Sequence, residues 1–372
     1  MIELCPSTVW KPVLEGAFGF AQKQVRALIA RDPDFYPMYT QRGRWRHEGE
    51  AWTHWCDGFL PGMMWIFHRR TRDPEWRRQA ERYTTPLEPR KLDRAVHDLG
   101  FIFLSTYHRW YEITGDEKLD GVVIQAGRTL ALRFKEKGEY LNSFLGPESL
   151  FIDIMANVGI IFYAAIESGD EKLLDIAMRH CLTTRRVLIR GDGSSSHEGI
   201  FDLKSGEFLR QSTQQGYRAD SCWSRGLAWA LYGFASAYKF VRDNRFLQTA
   251  EACADFYIRE TPSHGVPLFD YDIPPQQPQR LDSSAAAIMA AGLLRLAGLT
   301  GDAAKGQLYR ETARHMLVTL SRPPFLAEGD DNWEGILQQG VYHLHKNLGV
   351  GESVMWGEYF FVEALDRALA DG

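Results

Sequence analysis

Residues 97–134 read HDLGFIFLSTYHRWYEITGDEKLDGVVIQAGRTLALRF, and this stretch predicts the fold of the whole chain. On either side of the tripeptide Thr114-Gly115-Asp116, apolar side chains recur with the period of an α-helix. The first helical face consists of Leu99, Phe103, Tyr107 and Trp110. Glycine can end one helix in the left-handed conformation, and aspartate can cap the free N–H groups of the next. The stretch therefore predicts a helical hairpin.

The same pattern, two helical segments joined by a short turn that carries aspartate, occurs five times. The other four turns are Thr71-Arg72-Asp73, Ser168-Gly169-Asp170, Val241-Arg242-Asp243 and Thr300-Gly301-Asp302. Helices are predicted near 13–30, 58–70, 74–84, 97–113, 116–134, 150–167, 170–187, 223–240, 243–259, 282–298, 302–319 and 356–370. Grouped into six hairpins, these twelve helices predict an all-α fold, the (α/α)6 barrel, in which an inner and an outer ring of helices have a cleft at one end.

Strand signals are confined to short pieces near 186–190, 199–209 and 266–271, which predicts small hairpins on the longer connections. No change in composition and no linker rich in serine, glycine or proline divides the chain. We therefore expect residues 1–372 to form a single (α/α)6-barrel domain with a few strands in its loops.

The charge and hydropathy of the chain exclude several classes of partner. Its 43 Lys and Arg residues and 48 Asp and Glu residues give a net charge of -5, so no basic surface is expected for nucleic acid or an anionic membrane. The apolar stretch from Ile154 to Ile166 contains Asn157 and is too short to span a bilayer. Residues Met1 to Val13 lack the basic and apolar regions of a secretory signal.

The cysteines favour a reducing compartment. They are odd in number, widely separated and without a CxxC pair: Cys5, Cys56, Cys181, Cys222 and Cys253. This distribution argues against a disulfide framework and against a cysteine zinc site. We therefore expect a cytoplasmic protein that carries no structural metal. The exposed helix faces do not distinguish a monomer from a weak homodimer.

Two aspartates are candidates for acid–base chemistry. Asp98 precedes an apolar helix, where it is either a helix cap or a functional carboxylate. Asp153 lies between Ile152 and Ile154, and an ionised carboxylate in such an apolar setting is costly unless it is paired or protonated. Burial would raise its pKa toward the range that suits a general acid. The alternative for Asp153 is a buried, hydrogen-bonded structural residue.

Aromatic and polar residues elsewhere point to a carbohydrate ligand. The chain is 13% aromatic, which serves either a large core or stacking on the apolar faces of sugar rings. Trp223 and Arg225 lie at the start of a predicted helix, where they either hold a sugar and its carboxylate or have a structural role, as a cation–π pair or as a helix cap. Walker, dinucleotide, GxSxG and HExxH signatures are absent.

In their order along the chain, these segments closely resemble glycoside hydrolase family 88, the unsaturated glucuronyl hydrolases. The resemblance extends from about Trp55 to the C-terminus. Its motifs are here His97-Asp98-Leu99-Gly100-Phe101, Ile152-Asp153-Ile154-Met155-Ala156-Asn157, Val187 to His197, Gln215-Gly216, Trp223-Ser224-Arg225-Gly226, Arg280-Leu281-Asp282-Ser283-Ser284-Ala285, Tyr342-His343 and Trp356-Gly357-Glu358-Tyr359. Each motif alone is unspecific, and their order is what is specific. The resemblance also implies an (α/α)6 barrel.

The resemblance implies that Asp153 is the general acid and base and that Asp98 is its carboxylate partner. It implies a substrate pocket that consists of Trp55, His97, His197, Gln215, Trp223, Arg225 and Tyr342, with Trp55 as a stacking platform. The chain departs from the family at Leu145, because a Trp can precede the Gly-Pro of that loop. This departure affects the side of the pocket that takes the aglycone. Lys346 either meets a sulfate on the next sugar or is solvated.

The implied reaction releases a 4,5-unsaturated glucuronic acid from oligosaccharides, foremost disaccharides, that polysaccharide lyases produce. The acid protonates C4, water adds at C5, and the resulting hemiketal opens and sheds the aglycone, without a metal or an organic cofactor. One alternative is an unsaturated rhamnogalacturonyl hydrolase of the same fold, but the Trp-Ser-Arg-Gly block and the Ser-Ser-Ser-His loop favour the glucuronyl family. The other is an inactive carbohydrate-binding barrel, against which the retention of Asp98 and Asp153 argues.

Overall fold

A computed structural model describes residues 10–47 and 53–371, and these are mostly helical. The helices are α1 (Trp10–Arg31), α2 (Phe59–Thr71), α3 (Pro74–Thr84), α4 (Leu99–Phe103), α5 (Tyr107–Thr114), α6 (Glu117–Ala131), α7 (Ile154–Asn157), α8 (Gly159–Ser168), α9 (Glu171–Leu188), α10 (Ser224–Val241), α11 (Asn244–Glu260), α12 (Ser283–Ala297), α13 (Ala303–Leu320) and α14 (Met355–Ala370). A 3-10 helix spans Thr85–Leu92.

All five predicted turns are capped by their aspartates. The carboxylates accept backbone N–H bonds from the first turn of the next helix at Asp73, Asp116, Asp170, Asp243 and Asp302. The left-handed helix end predicted for glycine occurs at Gly115 (φ 68°) and Gly169 (φ 66°). The prediction is wrong for Gly301, which has no positive φ. Arg72 and Arg242 adopt the left-handed conformation although they are not glycine.

The helices form two concentric rings, which confirms the predicted (α/α)6 barrel. The inner ring consists of α2, α4 with α5, α7 with α8, α10, α12 and α14, and it closes because α14 packs on α2. The outer ring consists of α3, α6, α9, α11, α13 and α1. Burial follows this division: α12 is buried on nearly all sides, whereas α11 buries one face against the inner ring.

Two of the predicted helices, 97–113 and 150–167, are not continuous. The first is interrupted between α4 and α5, where the hydroxyls of Ser105 and Thr106 donate to the carbonyls four residues earlier, those of Phe101 and Ile102. Such side-chain bonds compete with the helical backbone pattern. The second begins later than predicted, because residues 149–151 form a strand. The late start of the second helix leaves Asp153 directly before α7.

The strands lie in the connections. They are β1 (Thr40–Gln41), β2 (Arg44–Trp45), β3 (Phe134–Lys135), β4 (Tyr140–Leu141), β5 (Ser149–Phe151), β6 (Glu198–Phe201), β7 (Phe208–Ser212), β8 (Gly340–His343) and β9 (Leu348–Glu352). The hairpin predicted near 199–209 is confirmed as β6–β7, with β5 antiparallel to β6. The prediction of a strand near 186–190 is wrong, because α9 continues to Leu188. Residues 266–271 make only isolated bridges.

Three further expectations concern the cysteines, the membrane and the number of domains. The described cysteines, Cys56, Cys181, Cys222 and Cys253, are free and buried, and Cys5 lies outside the described residues. Of the helices in the described ranges, none combines the length and apolarity needed to cross a membrane. The single domain expected for residues 1–372 stays a prediction.

Candidate active site

The connections that precede the inner helices meet at one end of the barrel, where they enclose a cavity of about 310 Å³. This volume is at the lower end of the range of about 300–1,000 Å³ that is typical of small-molecule sites. Asp98 directly precedes α4, Asp153 directly precedes α7, and Arg225 lies in the first turn of α10. The predicted residues that line the cavity are Trp55, His97, Asp98, Asp153, Gln215, Arg225 and Tyr342.

Asn157 brings the two aspartates to the same cavity. Its Oδ1 accepts the N–H of Phe101 (2.8 Å) and its Nδ2 donates to the carbonyl of Asp153 (3.2 Å), which ties α4 to α7. Only glycine permits this approach at residue 100, because a Cβ on Gly100 would lie 2.5 Å from the carbonyl oxygen of Asn157. Gly100 and Asn157 are therefore packing residues that hold Asp98 and Asp153 together.

Asp98 is buried and faces a neutral imidazole. The N–H of Phe144 donates to Nδ1 of His97 (3.1 Å), so Nε2 of His97 carries the proton and lies 3.4 Å from Oδ1 of Asp98. The capping alternative for Asp98 is wrong, because its side chain accepts no hydrogen bond from α4. Burial, and then the charge of Asp153, raise the pKa of Asp98 well above its usual range.

Asp153 has a matching arrangement with His197. Nε2 of His197 lies 3.6 Å from Oδ2 of Asp153, while Nδ1 of His197 accepts the N–H of Gln214 (3.2 Å). Burial raises the pKa of Asp153 to about 6, although Arg225 opposes the rise. Burial also lowers the pKa of His197 to about 3, so this imidazole is neutral. The structural alternative for Asp153 lacks support, because Oδ2 has no hydrogen-bond partner in the described part of the chain.

Arg225 supplies the positive charge at the base of the cavity. It is buried and donates to the carbonyls of Val341 and Tyr342 (2.9 Å for Tyr342) and to Oε1 of Gln215. Its guanidinium also lies over the ring of Trp223, 4.5 Å from the centroid. The structural cation–π pair of Trp223 and Arg225 is therefore present. In this pair Arg225 lines the cavity, whereas the ring of Trp223 does not.

Aromatic rings form one wall of the cavity. The half-buried Trp55 packs on Trp356 (centroids 4.8 Å apart) and on Phe101 (5.7 Å). Tyr342 packs edge-on against Trp356 (5.0 Å). His197 and Trp223, predicted as substrate residues, do not line the cavity and pack against each other behind it (4.7 Å). Both lie one layer behind the cavity wall, where His197 contacts Asp153, and their role toward a substrate stays a prediction.

Sequence reasoning missed several residues of the cavity wall. Phe151, Gln214 and His343 line it without having been assigned a role. Phe151 packs against both imidazoles, 5.7 Å from His97 and 4.5 Å from His197. The apolar neighbours of Phe151 predict the start of a helix, and only the strand β5 places its ring between the two histidines. Within residues 10–47 and 53–371, no His, Cys, Asp and Glu side chains are grouped as metal ligands.

Comparisons with known proteins give the family and the fold of this chain. The sequence model of Glycosyl Hydrolase Family 88 matches residues 33–320. An unsaturated glucuronyl hydrolase of Bacillus sp. (strain GL1) is 29% identical in an alignment 371 positions long, which covers 96% of this chain and 96% of that protein. The crystal structure of an unsaturated glucuronyl hydrolase specific for heparin has a TM-score of 0.89 at 29% identity, over 97% of this chain and 98% of that one.

A second similar structure carries a ligand. It is a mutant unsaturated glucuronyl hydrolase of Streptococcus agalactiae complexed with dGlcA-GalNAc6S, with a TM-score of 0.81 and 26% identity over 100% of this chain and 98% of that one. The family model covers well over half of the chain, and the likeness in fold extends over nearly all of it. This chain therefore belongs to Glycosyl Hydrolase Family 88.

Proposed function

We propose that this chain is a glycosidase that releases a 4,5-unsaturated glucuronic acid from the non-reducing end of an oligosaccharide. The family, and relatives that are named unsaturated glucuronyl hydrolases, support this assignment. The observation that carries it is the pair of aspartates at one cavity, the buried Asp98 and the mostly buried Asp153, each facing a neutral imidazole. Since two neighbouring carboxyls in a desolvated site do not both ionise readily, one of them holds a proton near neutral pH.

Asp153 is the proton donor in this proposal. A pKa of about 6 suits both the donation of a proton and its later recovery near neutral pH. Asp153 transfers its proton to C4 of the substrate, and the C4=C5 π electrons form the new C–H bond, which leaves an oxocarbenium ion across C5 and the ring oxygen. Water adds at C5 and gives a proton back to Asp153. The hemiketal then opens to a C5 ketone, and the aglycone leaves from C1 as an alcohol.

Asp98 keeps the proton on the pair and orients the sugar. The charge of Asp153 raises the pKa of Asp98, so the two carboxyls resist joint ionisation, and the buried oxygens of Asp98 would accept hydrogen bonds from sugar hydroxyls. Arg225 would attract the substrate carboxylate through its charge, and Gln215 and His97 would supply polar contacts. Trp55 and Tyr342 would offer an aromatic surface to the apolar face of the ring. His197 and Trp223 would act behind the wall, by orienting Asp153 and Arg225.

The aglycone side of the cavity differs in character from the acid side. Leu145, which is 48% exposed, and Phe144 line it, together with the exposed Lys346. A ligand that contains an unsaturated uronic acid and a sulfated amino sugar, dGlcA-GalNAc6S, occurs in a structure of the family. We propose an unsaturated disaccharide as the substrate, with Lys346 next to any sulfate on its second sugar. A cytoplasmic location and a monomeric or weakly dimeric state also stay predictions.

The direct test follows the ultraviolet absorbance of the conjugated alkene, which disappears when water adds. Unsaturated disaccharides from chondroitin, hyaluronan and heparin, together with gellan and rhamnogalacturonan fragments, are each mixed with the wild-type chain and with Asp153→Asn. Loss of absorbance with at least one uronyl disaccharide is expected, and Asp153→Asn should slow it by about 10²–10⁴-fold or more. Unchanged absorbance with every substrate would refute the function. Cleavage of only the rhamnogalacturonan fragments would replace it by the rhamnogalacturonyl activity.

A matched control separates the acid from general effects of charge. Asp116→Asn changes the same functional group at an exposed helix cap, where asparagine caps as well as aspartate. Its turnover should equal that of the wild type. Near-normal turnover of Asp153→Asn would remove Asp153 from the role of acid while leaving the activity itself intact.

A further inference from the structure

Asp282 is a buried carboxylate that lies behind the cavity wall, and the proposed reaction does not use it. It has no exposed surface and caps α12, where Oδ1 accepts the N–H of Ser284 (3.0 Å) and the hydroxyl of Ser284 (2.6 Å). The same Oδ1 also accepts the N–H of Val341 (3.4 Å), which belongs to β8. Asp282 therefore links the start of an inner helix to the strand that carries Tyr342.

The second oxygen of Asp282 faces the cation of the site. Oδ2 lies 3.7 Å from Nη1 of Arg225 and has no hydrogen-bond partner within residues 10–47 and 53–371. Arg225 donates to the carbonyls of Val341 and Tyr342. The backbone of β8 is thus held from two sides, because the carboxylate binds its N–H and the guanidinium binds its carbonyls. A helix cap alone requires neither of these contacts.

Arg225 is shared between Asp282 and the proposed acid. The guanidinium lowers the pKa of both carboxyls, Asp282 and Asp153, against the stronger effect of burial. In a buried site with little solvent screening, a change of charge at Asp282 alters the field that Arg225 exerts on Asp153. Other charged or titratable groups face each of these three residues. Asp98 and His197 face Asp153, Tyr342 and His197 face Arg225, and Tyr257 faces Asp282.

We propose that Asp282 is a positioning residue of the catalytic centre: through Arg225 it fixes β8 at the cavity and limits how strongly the guanidinium favours the ionised form of Asp153. The inference rests on the proposed function, since it takes Asp153 as the acid. Asp282 itself does not line the cavity, so its effect on the reaction is transmitted by Arg225 and by the backbone of β8.

The test compares variants that change the charge of Asp282 with variants that change only its packing. Asp282→Asn keeps a good helix cap but removes the charge, and Asp282→Ser does the same with a different side chain. Without the carboxylate, Arg225 stabilises ionised Asp153 more strongly. The alkaline limb of kcat/KM should therefore move to lower pH by on the order of one unit in both variants. Asp282→Glu, which keeps the charge, should leave the limb in place.

Ser284→Ala is the packing control. It removes the hydroxyl that donates to Asp282 and that accepts from the indole of Trp356, without any change in charge. Ser284→Ala should lower Tm and leave the alkaline limb where it is in the wild type. An unshifted limb in both neutral variants of Asp282, or an equal shift in Ser284→Ala, would overturn the proposal.

A second readout does not depend on turnover. The carboxyl carbon of Asp153, assigned by its loss in Asp153→Asn, is titrated by NMR in the wild type and in Asp282→Asn. The titration midpoint should fall in the variant by the same amount as the kinetic limb. Should the wild type cleave no unsaturated disaccharide, the proposed function fails, and the NMR titration still decides whether Asp282 acts on Asp153 through Arg225.

Discussion

Nε2 of His197 lies 3.6 Å from Oδ2 of Asp153, and neither atom has a hydrogen-bond partner at normal distance in the described part of the chain. Since Nδ1 of His197 accepts the N–H groups of Gln214 and Gln215, the proton of the imidazole is on Nε2. A neutral N–H donor therefore faces the proposed acid. Such a donor favours the carboxylate, which is the form of Asp153 that exists after proton transfer.

His197 is therefore expected to act through Asp153. His197→Ala removes the donor and should lower kcat by about 10- to 100-fold, the equivalent of one hydrogen bond to a charged group. The same loss makes ionisation of Asp153 harder, so the alkaline limb of kcat should move to higher pH. His197→Gln places an amide N–H near the position of Nε2 and should keep most of the rate. Steady-state kinetics across pH measure both effects, and an unmoved limb in His197→Ala would contradict them.

The activity should fall as the pH rises through about 6. Burial raises the pKa of Asp153 to about this value, and the proposed reaction begins with the protonated acid. Above this pH the proton is lost from a growing share of the molecules, so kcat/KM should decrease tenfold for each further pH unit. The profile is measured with one unsaturated disaccharide at constant ionic strength. A profile that rises through this range would assign the titrating group a role as base in the first step.

The same titration predicts a change in stability. The pKa of Asp153 is raised from 3.8 to about 6 in the folded chain, so between these values the folded state binds a proton that the unfolded state does not. Stability therefore falls as the pH rises through this window, by up to about 3 kcal/mol. Asp153→Asn lacks this penalty. Its Tm relative to the wild type should be higher at about pH 7.5 than at about pH 4.5, and an unchanged difference would contradict burial of the charge.

The hairpins could be predicted from the sequence because their signals are local. Each turn brings its own cap, as Asp170 shows by accepting the N–H groups of Lys172 and Leu173. The β8–β9 hairpin gives no such signal. Its strands include Gly340, Gly349 and Gly351 in place of alternating apolar residues, and it is held by contacts with Asp282 and Arg225 that are distant in the chain.

The sequence predicts which residues belong to the site, but it does not predict which of them line the cavity and which lie behind its wall. The ordered motifs identify Asp98 and Asp153, yet their meeting depends on the contact of Gly100 with Asn157, which no local pattern reports. His197 also illustrates the limit. The motif order places it in the site, but only β6 and β5 show that its ring lies behind Phe151 rather than in the wall.

Lys346 should affect the choice between sulfated and unsulfated substrates. It is exposed at the aglycone side of the cavity, where an ammonium would interact with a sulfate through a largely solvated ion pair. Such a pair contributes about 0.2–1 kcal/mol, so Lys346→Ser should lower kcat/KM for a sulfated disaccharide by up to about fivefold. The unsulfated disaccharide serves as the control and should be cleaved as before. An equal loss with both would mean that Lys346 supports the fold of the loop instead.

Gly100→Ala should weaken both the fold and the site. The added Cβ would lie 2.5 Å from the backbone of Asn157, so α4 and α7 must separate, and overpacking of this kind costs about 1–3 kcal/mol. Separation also moves Asp98 away from Asp153, so kcat should fall even at a temperature where the variant is fully folded.

Gly121→Ala is the matched control, because Gly121 lies inside α6 with no atom within 4 Å of the added carbon. That change should raise the stability slightly, since alanine favours a helix more than glycine does. Thermal unfolding and initial rates measured on both variants test this argument, and a Gly100→Ala chain with normal turnover would refute the dependence of the aspartate pair on this contact.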